Sequence, residues 1–104
     1  MSEPPVSLYA EFTARDGHTD EVQRLVSRLV LEVRAEPGNV VFDAWVRTER
    51  PTEFVVFETY RDRAAFEEHL ASTHCVDFNR ALTPLVEGAG STLTWLSPVG
   101  VSSS

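Results

Sequence analysis

Glu36-Pro37-Gly38-Asn39, then Val40–Thr48, Phe54-Val55-Val56-Phe57-Glu58-Thr59-Tyr60 and Asp62-Arg63-Ala64-Ala65-Phe66-Glu67-Glu68-His69-Leu70-Ala71-Ser72-Thr73-His74 decide the fold of this chain. Pro37-Gly38 stops a helix, because proline pushes the residue before it out of the helical region and glycine supplies the exit. The two β-branched and aromatic runs read as strands, joined by the Pro-containing connection Glu49–Glu53 of a hairpin. Asp62 stands at the N-cap of a helix that starts at Arg63. Ser72 is a second cap and breaks that helix in two. The second piece runs on through Val86 with Cys75, Phe78, Leu82 and Leu85 on one side.

Upstream, Val6–Thr13 alternates, with Val6, Leu8, Ala10 and Phe12 on one face and Ser7, Tyr9, Glu11 and Thr13 on the other, which is a strand. Asp16-Gly17 turns the chain. Val22, Leu25, Val26, Leu29, Val30 and Val33 then form one apolar helical stripe, with Asp20 and Glu21 at its N-terminal end and Arg34 at its C-terminal end. Downstream, Gly88 and Gly90 close the last helix and Ser91–Leu96 is a final strand. The order is β-α-β-β-α-β, a ferredoxin-like α+β arrangement around an antiparallel sheet. One domain over residues 1–104 is expected, with a core of about 6–97 and loose tails at 1–5 and 98–104.

Both faces of the sheet read as apolar: Val40, Phe42, Ala44 and Val46 on one, Val41, Trp45, Val55 and Phe57 on the other. Helices can cover only one of them. A second copy, packed sheet against sheet, is the expected cover, which makes the chain a homodimer.

The net charge of −7 comes from sixteen carboxylates against nine arginines, with no lysine. An acidic chain without a basic cluster is repelled by phosphate backbones and anionic membranes, so nucleic acid and membrane are not expected partners. No apolar run approaches the roughly 20 residues that cross a bilayer, and the N-terminus lacks a signal-peptide pattern. A cytoplasmic protein is expected. Cys75 is the only cysteine, which excludes an intrachain disulfide.

Several side chains could carry chemistry. His74 lies in the first turn after the Ser72 cap, where the helix dipole favours neutral imidazole, a form that acts as general base or hydrogen-bond partner. The structural alternative is a hydrogen bond to a loop carbonyl. His69 borders the apolar stripe of its helix and reads as an anchor to a neighbouring loop, while His18 reads as solvent-exposed. The spacing of His69 and His74 is not the i, i+4 pair of a helical metal site, and no Asp or Glu stands at a spacing that completes one, so no metal is expected. Glu58 shares a strand face with Phe54 and Val56. A carboxylate there is either paired, with Arg61, Arg63 or Arg80, or it is a base or the orienter of a histidine. Glu11 reads as exposed, and Asp43 as a polar group of an interface or a pocket. Ten aromatic residues serve mainly as core, although a flat polycyclic ligand would want such a lining, with Tyr60, Asn79 and Trp95 as polar groups.

The sequence Glu36-Pro37-Gly38, the two strands and the run ending Ser72-Thr73-His74 resemble the antibiotic biosynthesis monooxygenase family over roughly residues 6–97. The resemblance implies a dimeric α/β barrel. It also implies cofactor-independent oxygenation of a quinol-, anthrone- or polyketide-like aromatic, with O2 as co-substrate and no metal, flavin or haem. His74 or Glu58 would be the catalytic base. Tyr60, His69, Phe78, Asn79 and Trp95 would bind the substrate. An isomerase using the same base, or a non-catalytic ligand-binding or stress-response module, is the alternative. The family's haem-degrading branch uses an asparagine in strand one, where this chain has Tyr9, Ala10 and Glu11, so haem is disfavoured. A phosphorylated-sugar branch finds no Gly-rich phosphate cradle here.

Overall fold

A computed structural model describes residues 3–88 and 90–100. The expected loose ends fall partly outside the described residues, at 1–2 and 101–104. Strand β1 (Val6–Thr13) leads to helix α1 (Thr19–Arg34), strands β2 (Asn39–Arg47) and β3 (Arg50–Tyr60), helices α2 (Arg63–Ala71) and α3 (Thr73–Leu82), and strand β4 (Thr92–Leu96). The four strands form one antiparallel sheet in the order β2-β3-β1-β4, the ferredoxin-like arrangement expected from the sequence.

Three boundaries differ from the sequence reading, each for a local reason. The hairpin turn is only Thr48-Glu49, and Pro51 lies within β3. A register shift next to Arg47 removes Pro51 from regular pairing with β2, and β1 pairs no further along β3 than Glu53. Proline has no N–H to give a ladder, so it is tolerated there. The last helix does not run to Val86. Pro84 turns it into a short 3-10 segment over Thr83–Leu85, and Val86 makes an isolated bridge with Ala14. Val40 does not join the face of Phe42. A bulge between Asn39 and Val41 leaves it 60% exposed.

The helices bury one face of the sheet. Ala10, Phe12, Phe42, Phe54 and Val56 meet Val22, Val26, Leu29 and Val33 of α1 and Leu82 of α3 in the main core. Phe12 stacks on Phe54 with centroids 5.3 Å apart and meets Phe78 edge-on at 6.4 Å. A smaller cluster of Leu8, Tyr60, Ala65 and Phe66 fixes α2. Gly38 makes that possible: a Cβ there would lie 2.4 Å from the Ala65 Cβ, so only glycine lets the α1–β2 turn meet the first turn of α2. On the other face of the sheet Tyr9, Val41, Val55 and Phe57 are half-buried and Trp45 is 65% exposed. No helix among the described residues is long and apolar enough to cross a membrane.

Candidate active site

Between the two hydrophobic clusters lies a group of polar side chains assembled from three distant segments. On β3, alternation sends Phe54, Val56, Glu58 and Tyr60 to the helix-covered face, so Glu58 is buried among apolar neighbours. Tyr60 Oη donates to Glu58 Oε1 at 2.7 Å. An arginine partner, one of the two alternatives the sequence leaves open, is absent among the described residues: Arg61 contacts Asp62, Arg63 contacts Glu67 and Arg80 contacts Asp77. Burial, reinforced by the Glu36 carboxylate and only partly offset by the Tyr60 hydrogen bond, raises the Glu58 pKa to about 7. Burial and the same Glu58 carboxylate push the Tyr60 hydroxyl far upward, so it stays a donor.

Two capped helices bring the histidines in. Asp62 accepts from Ala65 N at 2.8 Å and starts α2. Ser72 makes the corner: its hydroxyl donates to the His69 carbonyl at 2.6 Å and accepts from Cys75 N at 3.2 Å. The corner aims both rings at one carboxylate. Glu36 Oε2 lies 2.9 Å from His69 Nδ1 and 2.5 Å from His74 Nε2. A carboxylate only accepts, so both nitrogens carry the hydrogen. The other side of the His69 ring, Nε2, lies 3.7 Å from Cys75 Sγ and 4.0 Å from Glu58 Oε1. Burial first, then the Glu58 and Glu36 carboxylates, raise the Cys75 thiol to about 11 and keep it protonated near neutrality.

Glu36 overturns the expectation that no carboxylate completes a set with His69 and His74: the three ligand atoms lie within 4.8 Å of one another. These are the residues that could hold a metal. Their spacing is that of hydrogen bonds, however. With metal–ligand bonds of about 2.1 Å, neighbouring ligand atoms stand roughly 3 Å or more apart, and the His74–Glu36 contact is 2.5 Å. The cluster is a hydrogen-bonded strap from the α1–β2 turn to the α2–α3 corner.

A cavity of about 290 Å³ opens beside it, close to the lower limit of about 300 Å³ for small-molecule sites. Its walls are Leu8, Ala10, Phe12, Phe42 and Val56 of the sheet, Val26 and Leu29 of α1, and Phe66, Phe78 and Leu82 of the later helices. Glu58, His69, Cys75 and Asn79 are polar groups on that wall. Asn79 Nδ2 donates to Cys75 Sγ at 3.6 Å.

Of the residues singled out in the sequence, the structure brings Glu58, His69, Phe78 and Asn79 to the cavity. It does not bring the others. His74 sits behind His69 and lines a separate cleft with Leu25, Arg28, Glu32 and Asp77. Tyr60 is buried behind Glu58 and is committed to it. Trp95 stacks edge-on against Phe66 at 4.9 Å with the Arg63 guanidinium 4.7 Å over its ring, outside the cavity. Asp43 pairs with Arg34 and Glu11 with Arg47, both at 3.0 Å, away from the cavity. His69, which the sequence suggests as an anchor to a loop, does reach Glu36 and also faces the cavity. Glu36 and Cys75 are site residues that sequence reasoning misses. In the sequence Glu36 belongs to a turn, and Cys75 to an apolar helix face.

The architecture is that of a small ferredoxin-like domain whose sheet and helices flank an apolar cavity with a buried carboxylate and an imidazole on its wall. The chain belongs to the antibiotic biosynthesis monooxygenase family, whose pattern matches residues 5–81. Rv0793 of Mycobacterium tuberculosis, provisionally named a monooxygenase, is 29% identical over 82 residues, covering 79% of this chain and 80% of that one. Its solved structure superposes with a TM-score of 0.86 over 95% of this chain and 99% of its own. PA3566 of Pseudomonas aeruginosa, 28% identical, gives a TM-score of 0.87 over 96% of this chain and 99% of that one.

Proposed function

We propose that this protein is a cofactor-independent monooxygenase acting on a compact quinol-, anthrone- or polyketide-like aromatic. The supporting observation is the buried Glu58 carboxylate on the wall of a cavity lined mainly by aliphatic and phenylalanine side chains. Glu58 removes an acidic proton from the substrate, and the resulting carbanion is oxidised by O2. For an anthrone-type methylene, one oxygen atom replaces the two hydrogens as a carbonyl, and the other leaves with those hydrogens as water. A substrate that fills the apolar cavity displaces water and so strengthens each electrostatic contact to the anion, and Asn79 is the neutral donor beside it. The volume of about 290 Å³ favours two or three fused rings over an extended polyketide chain. Oxygen uptake by chelator-treated protein on a panel of naphthohydroquinones and anthrones tests this reading. Uptake above autoxidation supports it, and a flat response across the panel contradicts it.

The working unit in this reading is a homodimer. Tyr9, Val41, Val55, Phe57 and the 65% exposed Trp45 form an apolar patch on the open face of the sheet that a second copy would cover. Light scattering at micromolar concentration should return twice the mass of the 11.6 kDa chain. Trp45→Arg should shift that mass towards the monomer, and a monomeric wild type would contradict the assembly.

A further inference from the structure

We infer that His69 is the terminal proton acceptor of the cavity, and that Glu36 and His74 are positioning residues which present its Nε2 lone pair to Glu58. This inference rests on the acid–base reading of the cavity given above. The tautomer follows from the hydrogen bonds: Glu36 Oε2 can only accept, so His69 carries a hydrogen on Nδ1 at 2.9 Å, and in the neutral ring Nε2 is then bare. Bare Nε2 points to the cavity side, between Cys75 Sγ at 3.7 Å and Glu58 Oε1 at 4.0 Å. The ring is buried, so a change of tautomer would leave a buried nitrogen facing a carboxylate lone pair.

The proton path balances. Glu58 takes a proton from a bound phenol or activated C–H and passes it to His69 Nε2, across the 4.0 Å gap closed by a small side-chain movement. Glu58 is again a carboxylate and His69 is an imidazolium. The Glu36 carboxylate, already on Nδ1, stabilises that cation, as a buried carboxylate does behind the imidazole of a catalytic triad. His74 adds a second hydrogen bond to the same Oε2 and holds Glu36 in place from the outer cleft. The titratable groups facing the His69 ring are Glu36 from the α1–β2 turn, Glu58 and Tyr60 from β3, and His74 and Cys75 from α3. Neither carboxylate has an arginine within 4 Å among the described residues, so the charge balance of the site depends on the two imidazoles.

Long-range nitrogen–proton NMR of the histidine-labelled full chain tests this without turnover, with 1-naphthol, which keeps its phenolic proton in water at mildly alkaline pH, as an anaerobic probe. In the free protein at mildly alkaline pH, His69 should carry its hydrogen on Nδ1 with Nε2 bare. Adding the probe should give its phenolate absorption together with a second hydrogen on His69 Nε2, leaving His18 unchanged. Glu36→Gln keeps an acceptor for Nδ1 but removes the charge. It should lower the fraction of His69 that takes a second hydrogen when the probe binds, because the negative charge facing the ring is gone. Glu36→Asp should recover part of that loss, which a purely structural strap would not. A hydrogen on Nε2 in the free protein overturns the inference. So does a bound phenolate with His69 still neutral. Oxygen uptake is read separately, so a chain that ionises the probe but consumes no O2 would retain this inference and lose the oxygenase reading.

Discussion

Glu58→Gln should abolish most of the turnover and, at alkaline pH, make the protein more stable than the wild type. The activity loss follows from removing the one carboxylate that lines the cavity among the described residues, and general acid–base groups contribute about 10²–10⁴-fold. The stability gain follows from the same burial. The folded-state pKa of Glu58 is raised from 4.5 to about 7, so the fold prefers the protonated form. Below pH 4.5 the carboxyl is neutral in both states and the site costs nothing. As pH rises through the window from 4.5 to about 7 the unfolded chain loses its proton first, and stability falls. Above that window the buried anion costs about 3 kcal/mol, at about 1.36 kcal/mol per unit. The amide oxygen introduced by the substitution would accept from Tyr60 Oη as the carboxylate does, without the charge. Thermal melts at about pH 8 should therefore place the variant above the wild type by about 2–3 kcal/mol, and melts at about pH 4 should bring the two together. A variant destabilised at both pH values would show that Glu58 is held as a paired structural carboxylate. Such a cost in stability at a functional carboxylate is the ordinary trade between activity and stability.

Gly38→Ala should be the most damaging single-methyl change near the site. The added Cβ would lie 2.4 Å from Ala65 Cβ and 3.5 Å from Ala65 Cα, and Ala65 is buried in the first turn of α2. The contact is with backbone-bound atoms, so no side-chain rotation relieves it. α2 must move away from the turn, stretching the Arg61 N to Gly38 O hydrogen bond of 2.9 Å and carrying His69 off Glu36. Overpacking of this kind costs about 1–3 kcal/mol, occasionally more, and each kcal/mol lowers Tm by roughly 4–8 °C in a domain of this size. Ala65→Gly in the same chain should recover much of the loss, since the two changes share one contact. Calorimetry of the four proteins measures that coupling, and simple additivity would refute the clash.

The elements are legible in the sequence where local chemistry and burial pattern agree. The α1 stripe, the caps at Asp62 and Ser72 and the Pro37-Gly38 stop each have a short-range cause. The errors lie where a long-range partner decides. Val40 leaves its expected face because of a bulge against β3, and Pro51 is admitted to β3 where regular pairing stops. The site divides in the same way. Glu58 is visible as a carboxylate interrupting an apolar strand face. Its partner is not, because the nearby arginines are all spent on surface pairs. Glu36 stands 33 residues from His69 and 38 from His74, and it occupies a turn motif that already has a sufficient explanation. Its signal is an acidic residue locked to a conformationally fixed turn, which two histidines on a capped corner can then reach. His74 carries the family-like Ser-x-His pattern, yet the pattern locates the corner and not the cavity wall. It is the ring one helix earlier, His69, that faces the cavity.

The measurement closest to the central claim is the fate of isotopically labelled O2 in chelator-treated protein given whichever panel compound drives oxygen uptake. Incorporation of one labelled oxygen atom per product, abolished by Glu58→Gln and by anaerobiosis, is the result expected of a cofactor-free monooxygenase. Product formed at the same rate without O2, or carrying no label, would contradict it and would make the same cavity the site of an isomerase.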